Sequence, residues 1–104
     1  GFNDAVYAYV GLQSTVYTDG ATESVYYKIT PPQSGNLTLS SANLAVTIKA
    51  YDNKKKDMKV SNSVVENADG TQAVQAVFAV EADATYYFSL TGDISMDIGV
   101  TLKG

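Results

Sequence analysis

The stretch Ile94-Ser95-Met96-Asp97-Ile98-Gly99-Val100-Thr101-Leu102-Lys103 decides the fold. Ile94, Met96, Ile98, Val100 and Leu102 alternate strictly with Ser95, Asp97, Gly99, Thr101 and Lys103. A period of two belongs to a β-strand with one buried and one solvated face. A one-residue slip would turn all five apolar side chains to water, so the register is tightly specified.

The same period recurs toward the start of the chain. Tyr86, Phe88 and Leu90 alternate with Tyr87, Ser89 and Thr91, and Gly92-Asp93 turns the chain into the last strand. Val74, Ala76, Phe78 and Val80 alternate with Gln75, Val77 and Ala79, between the turn Asn67-Ala68-Asp69-Gly70 and a short connection at 81–84. Leu44, Val46, Ile48 and Ala50 oppose Ala45, Thr47, Lys49 and Tyr51. Leu37 and Leu39 oppose Thr38 and Ser40. Val25, Tyr27 and Ile29 oppose Ser24, Tyr26, Lys28 and Thr30, and Pro31-Pro32 closes that run because proline lacks the N–H a ladder needs. Residues 60–65 read as a weak edge strand, and 14–18 as a short strand stopped by Asp19-Gly20. Val6, Ala8, Val10 and Leu12 read as one face of a first strand, with Tyr7 and Tyr9 on its reverse. Eight or nine short strands with one apolar face each need a second sheet to bury against. The expected fold is an all-β, two-sheet antiparallel β-sandwich, jelly-roll-like, with an immunoglobulin-like sandwich as the alternative.

Composition narrows function mostly by exclusion. The chain has 104 residues, 45% of them hydrophobic, which suits one domain with a real core over residues 1–104. It has no Cys and no His, and its seven cationic side chains are all Lys. It therefore has no thiol or imidazole relay, no ordinary zinc ligand set and no guanidinium clamp. A net charge of −4 argues against nucleic acid as a partner. The cluster Lys54, Lys55, Lys56 and Lys59 reads as a solvated loop. No apolar run approaches the roughly 20 residues of a membrane-spanning helix, so membrane insertion is not expected. The acids sit mostly in turns, where they cap local N–H groups, and no enzyme activity is expected. No cofactor is expected; calcium is the one metal these side chains could serve, through Asp69 with Glu66 and Asn67, or through Asp52 with Asp57.

Two resemblances follow from longer stretches. Ser24-Val25-Tyr26-Tyr27-Lys28-Ile29, Gly35-Asn36-Leu37-Thr38-Leu39, Asn43 to Asp52 and Ala84-Thr85-Tyr86-Tyr87-Phe88-Ser89-Leu90 stand in an order, over 22–102, that resembles bacterial pre-peptidase C-terminal domains, the group that includes clostridial collagen-binding domains. That resemblance implies a secreted jelly-roll module appended to a larger enzyme or surface protein. Ser41-Ala42-Asn43 here replaces acidic residues usual in that group, and Ala84 replaces a Gly. Locally, Val80 to Phe88 resembles the corner of immunoglobulin domains, which implies that the Tyr86 hydroxyl ties back to the backbone.

The candidate site comes from the tyrosines. Eight Tyr and no Trp is a skewed aromatic set. Alternation turns Tyr27 and Tyr86 inward and leaves Tyr7, Tyr9, Tyr17, Tyr26, Tyr51 and Tyr87 outward. Exposed Tyr rings offer apolar area with a polar handle, and can stack on sugars or on a protein chain. Tyr7, Tyr9, Tyr26, Lys28, Lys49, Tyr51 and Tyr87 are the expected ligand-binding residues, and an extracellular polymer, polysaccharide or matrix protein, is the expected partner. The opposing reading is that cross-strand Tyr pairs simply stabilise the sheet, in a structural spacer or an assembly or adhesin subunit. An isopeptide crosslink from Lys28 or Lys49 to Asp97 is a variant of that reading. The expected location is extracellular or at the cell surface.

Overall fold

In a computed structural model the alternating runs form nine strands among the described residues, which are 1–20 and 23–104. Thr22, where the resemblance begins, lies outside them. A 3-10 turn, Phe2–Asp4, precedes β1 (Val6–Ala8) and β2 (Gln13–Tyr17). β3 (Ser24–Ile29), β4 (Gly35–Ser41), β5 (Thr47–Tyr51) and β6 (Ser63–Glu66) follow, then β7 (Gln72–Val80), β8 (Tyr86–Thr91) and β9 (Ser95–Lys103). They build a two-sheet β-sandwich. One sheet has the order β1-β3-β8-β5 and the other β2-β9-β4-β7-β6. Of the consecutive pairs, β6 and β7 share a sheet as a hairpin, while the other connections cross between sheets.

The inner faces are those the alternation predicts. Leu37, Leu39, Ile48, Phe88, Leu90, Met96, Ile98 and Val100 are almost fully buried between the sheets. Tyr27 and Phe88 are cross-strand partners whose rings stack at 4.8 Å and 11°. The predicted corner also forms. The Glu81 N–H donates to the Tyr86 hydroxyl at 2.8 Å, which satisfies a phenol that is otherwise buried in the core.

Four expectations need correction. Residues 6–12 are not one strand. Gly11 takes φ +95°, the Leu12 N–H donates to the Tyr9 carbonyl at 3.0 Å, and the chain crosses there from one sheet to the other. The sandwich is not wholly antiparallel, because β1 pairs with β3 in parallel. β2, lying in the opposite sheet, supplies the crossover that a parallel pair needs. Ile94 and Leu44 precede their strands and are exposed, and Val6 on the edge strand is exposed as well. Finally, 60–65 divides. Only its second half joins β6, at the edge of the five-stranded sheet. Asn62, in the first half, accepts the Ile48 N–H at 2.7 Å and donates to the Ile48 carbonyl at 2.8 Å. One side-chain amide thus stands in for a neighbouring strand and blunts the open edge of β5.

The corner Gly92 fixes how β8 feeds β9. A Cβ there would come within 2.4 Å of the Ala45 carbonyl oxygen, so only glycine allows the β4–β5 loop to lie so close. Among the described residues no helix is long and apolar enough to cross a membrane.

Candidate functional site

The outer face of the four-stranded sheet gathers most of the predicted residues. The registers place Tyr7 beside Lys28, Lys28 beside Tyr87, and Tyr87 beside Tyr51. These four side chains form one row across all four strands. The next row runs Tyr26, Ser89, Lys49, and the third Ser24, Thr91, Thr47. Period-two alternation is what puts every one of them on the same side. Tyr9 shares the parity of Tyr7 but follows β1, in the crossing to the second sheet, and is exposed outside the ladder.

The rings are not the bare platform that alternation implies. Phe2, from the turn ahead of β1, sits among three of them. Its ring centroid lies 5.0 Å from Tyr26, 4.9 Å from Tyr51 and 5.4 Å from Tyr87. The planes cross at 64°, 90° and 82°, the edge-to-face arrangement that aromatic quadrupoles favour. Tyr26 and Tyr51 are near parallel, 6.1 Å apart. Burial first, and then the neighbouring Tyr51, push the Tyr26 phenol above its ordinary range. Tyr26, Tyr51 and Tyr87 are accordingly half-buried, while Tyr7 stays 76% exposed. Lys28 places its ammonium 4.2 Å from the Tyr7 ring centroid, and Lys55 lies 5.9 Å from both Phe2 and Tyr87.

Beside this cluster the face sinks into a shallow depression of about 290 Å³, walled by Tyr26, Tyr51 and Lys49 and floored by Ser89 and Thr91. Ser89 is buried although it points to the outer face, because it lies in the central strand between Tyr26 and Lys49. The Ser24 and Thr91 hydroxyls bond each other at 2.5 Å on the rim. The arrangement can stack against a ring and hydrogen-bond hydroxyls or amides.

Sequence reasoning missed Phe2. A signal was present: a large apolar residue outside any strand pattern, between Gly1 and Asn3-Asp4, must find cover somewhere.

Other singled-out residues have local partners. Asp52 accepts the N–H groups of Lys54 and Lys56 at 2.8 and 2.9 Å, Asp57 that of Lys59 at 2.7 Å, and Asp69 the N–H and hydroxyl of Thr71 at 3.0 and 2.6 Å. No group of three or more acidic side chains converges among the described residues. The crosslink from Lys28 or Lys49 to Asp97 does not fit. The lysines lie on the outer face of one sheet and Asp97 on the outer face of the other, with the core between them.

No family model matches the chain, and no curated protein sequence matches it. Among solved structures it is similar to the pre-peptidase C-terminal domain of collagenase from Bacillus anthracis, at 16% identity and a TM-score of 0.65, over 94% of this chain and 95% of that one. At that identity the likeness is one of fold: the chain shares the β-sandwich of that domain, in line with the resemblance in strand order.

Proposed function

We propose that this chain is a non-catalytic binding module that holds an extracellular polymer, a polysaccharide or matrix protein, on the outer face of its four-stranded sheet. The observation that carries the reading is the row Tyr7, Lys28, Tyr87 and Tyr51, with Tyr26 and Lys49 in the row beside it. A linear polymer has repeating rings or side chains, and a row across four strands can engage several at once. The fold likeness to a domain of a collagenase supports placing the chain as one module of a larger secreted or surface protein.

Retention on immobilised polysaccharides and on collagen, with and without calcium, tests the reading. One polymer should retain the protein, and Tyr26→Ala and Tyr87→Ala should each cut retention roughly tenfold or more while the fold persists. Unchanged retention in both variants would sink the assignment of this face.

A second reading keeps one specific observation in its favour. β6 ends the five-stranded sheet, and Val64 on it is 58% exposed. An assembly subunit would pair through that edge. Sedimentation would then show concentration-dependent association, abolished by Val64→Lys.

A further inference from the structure

The cleft between Tyr26, Tyr51 and Tyr87 is filled by a side chain that belongs to neither sheet. Phe2 is carried on a turn with no buried residue, whose N–H to carbonyl bonds, Asp4 to Gly1 and Ala5 to Phe2, are both long at 3.4 Å. After Ala5 the chain makes a three-residue parallel ladder on the edge of β3, with only Ala8 buried. Backbone so lightly held belongs to the low-stability end of a fold, where local opening is cheapest. The one short bond of the turn, from the Gly1 ammonium to Asp4 at 2.6 Å, stays within it, and what ties the turn to the sheet is the ring of Phe2.

We infer that the Tyr26–Tyr51–Tyr87 cleft is a receptor for an aromatic side chain on an extended polypeptide, that Phe2 is its intramolecular occupant, and that a partner polypeptide binds this face by exchange with Phe2. The inference rests on the reading of this face as a binding surface, and it selects polypeptide over polysaccharide. Two features make that choice. Phe2 stands across its three neighbours as a wedge, a pose suited to a flat aromatic ring on a slim stem, whereas a sugar lies flat on a ring face. The adjoining edge of β3 already carries an added parallel strand, so the face supports main-chain pairing that a polypeptide can copy and a polysaccharide cannot.

A tethered occupant competes at an effective concentration in the millimolar range, so removing it should unmask the cleft. The experiment compares the wild-type chain with Phe2→Ala, using N-acetyl-phenylalaninamide as probe and N-acetyl-alaninamide as control, at millimolar concentration. In Phe2→Ala the ring resonances of Tyr26, Tyr51 and Tyr87 should shift saturably with the aromatic probe alone. The wild type should respond about tenfold more weakly. Backbone amide spectra of β4 and β9, in the other sheet and unchanged by the substitution, show that the core is intact. The second arm measures retention on an immobilised, extended peptide that carries one phenylalanine, where Phe2→Ala should be held roughly tenfold more tightly than wild type. Probe binding without retention of either chain would overturn exchange with a polypeptide. No probe response in a folded Phe2→Ala chain, or equal retention of the two chains, would overturn the inference, as would a concentration-dependent dimer of Phe2→Ala, which would give the cleft to a second copy instead.

Discussion

The two outer faces of this sandwich are organised in opposite ways. The four-stranded sheet presents rings: Tyr7, Tyr26, Tyr51 and Tyr87, with Phe2 wedged among three of them. The five-stranded sheet presents mostly polar groups, with Gln13, Gly99, Ser40, Gln75 and Ser63 in one row across its five strands, and its exposed Tyr17 and Val77 stand in separate rows rather than in a cluster. Each face has one residue that holds a loop down. On the aromatic face Phe2 does it with ring edges. On the polar face Asp97 does it with hydrogen bonds, accepting the Ser41 hydroxyl at 2.9 Å and the N–H groups of Ala42 and Asn43 at 2.8 and 3.2 Å. Asn43 extends that network to Asp93 and to the Ser95 carbonyl. Ring contacts are numerous and individually weak, so their loss weakens a loop gradually. Charge-assisted hydrogen bonds leave unsatisfied donors behind when the acceptor goes. The polar anchor should therefore be structural, and the aromatic one exchangeable.

The largest effect expected falls on the polar anchor. Asp97→Ala strands the buried Ser41 hydroxyl and the Ala42 N–H and leaves the Asn43 N–H only its bond to the Ser41 hydroxyl oxygen, which should cost about 3 kcal/mol of unfolding free energy in denaturant melts. Asp97→Asn keeps one acceptor oxygen and should cost about half that. A loss below that of Phe2→Ala would reverse the comparison. The acid limb sharpens it. Partial burial pushes the Asp97 carboxyl up, but the Ala42 and Asn43 N–H groups and the Ser41 hydroxyl outweigh it and hold the carboxyl below its ordinary range. A depressed folded-state value means that the network contributes fully above about pH 4 and is lost as pH falls through that lower value. Wild-type stability should drop steeply below about pH 4, and Asp97→Asn should drop less. The lowered carboxyls of Asp52, Asp69 and Asp93 keep the variant's curve from going flat.

Much of this division was legible in the sequence. Strict alternation in 94–103, 74–80 and 24–30 assigned most inner and outer faces, because a half-buried strand leaves no other solution. The tyrosine row followed from the same parity. What parity could not supply was anything outside the ladders. The break at Gly11 hides inside an alternation that continues through Val10 and Leu12, since both residues still pack on the core after the turn. Asn62 mimics a strand through its side chain, and no periodicity marks a side chain. Phe2 is local in sequence and distant in contact. The tyrosines could be assigned to a face, but whether that face was open depended on a residue before the first strand.

The next effect tests the aromatic anchor. Phe2→Ala removes three edge-to-face contacts, each typically about 0.5–1.5 kcal/mol and not additive. A loss of about 1–2 kcal/mol in the local opening free energy of the Phe2–β1 segment is expected, read as hydrogen exchange accelerated in β1 and not in β9. Exchange rising equally in both would mean that the aromatic anchor is as structural as the polar one. Tyr86→Phe serves as the reference for a single bond within a connection. It leaves the Glu81 N–H without its partner and should cost about 1 kcal/mol, with no effect on either face.

The smallest effect should come from the pair at the open end of the aromatic row. Lys28 covers the Tyr7 ring at 4.2 Å, but that ring is three-quarters exposed, so water screens the attraction. Lys28→Gln should change stability by no more than about 0.5 kcal/mol. Its consequence for the face is larger than its cost, because uncovering Tyr7 frees a ring that is already solvated on its other side. Retention of Lys28→Gln on the proposed polymer therefore separates two uses of the row. A gain would mean that Tyr7 binds by its ring and Lys28 competes for it, as Phe2 does for the other three. A loss would mean that the ammonium itself contacts the ligand and that the exposed end of the row binds differently from its plugged centre.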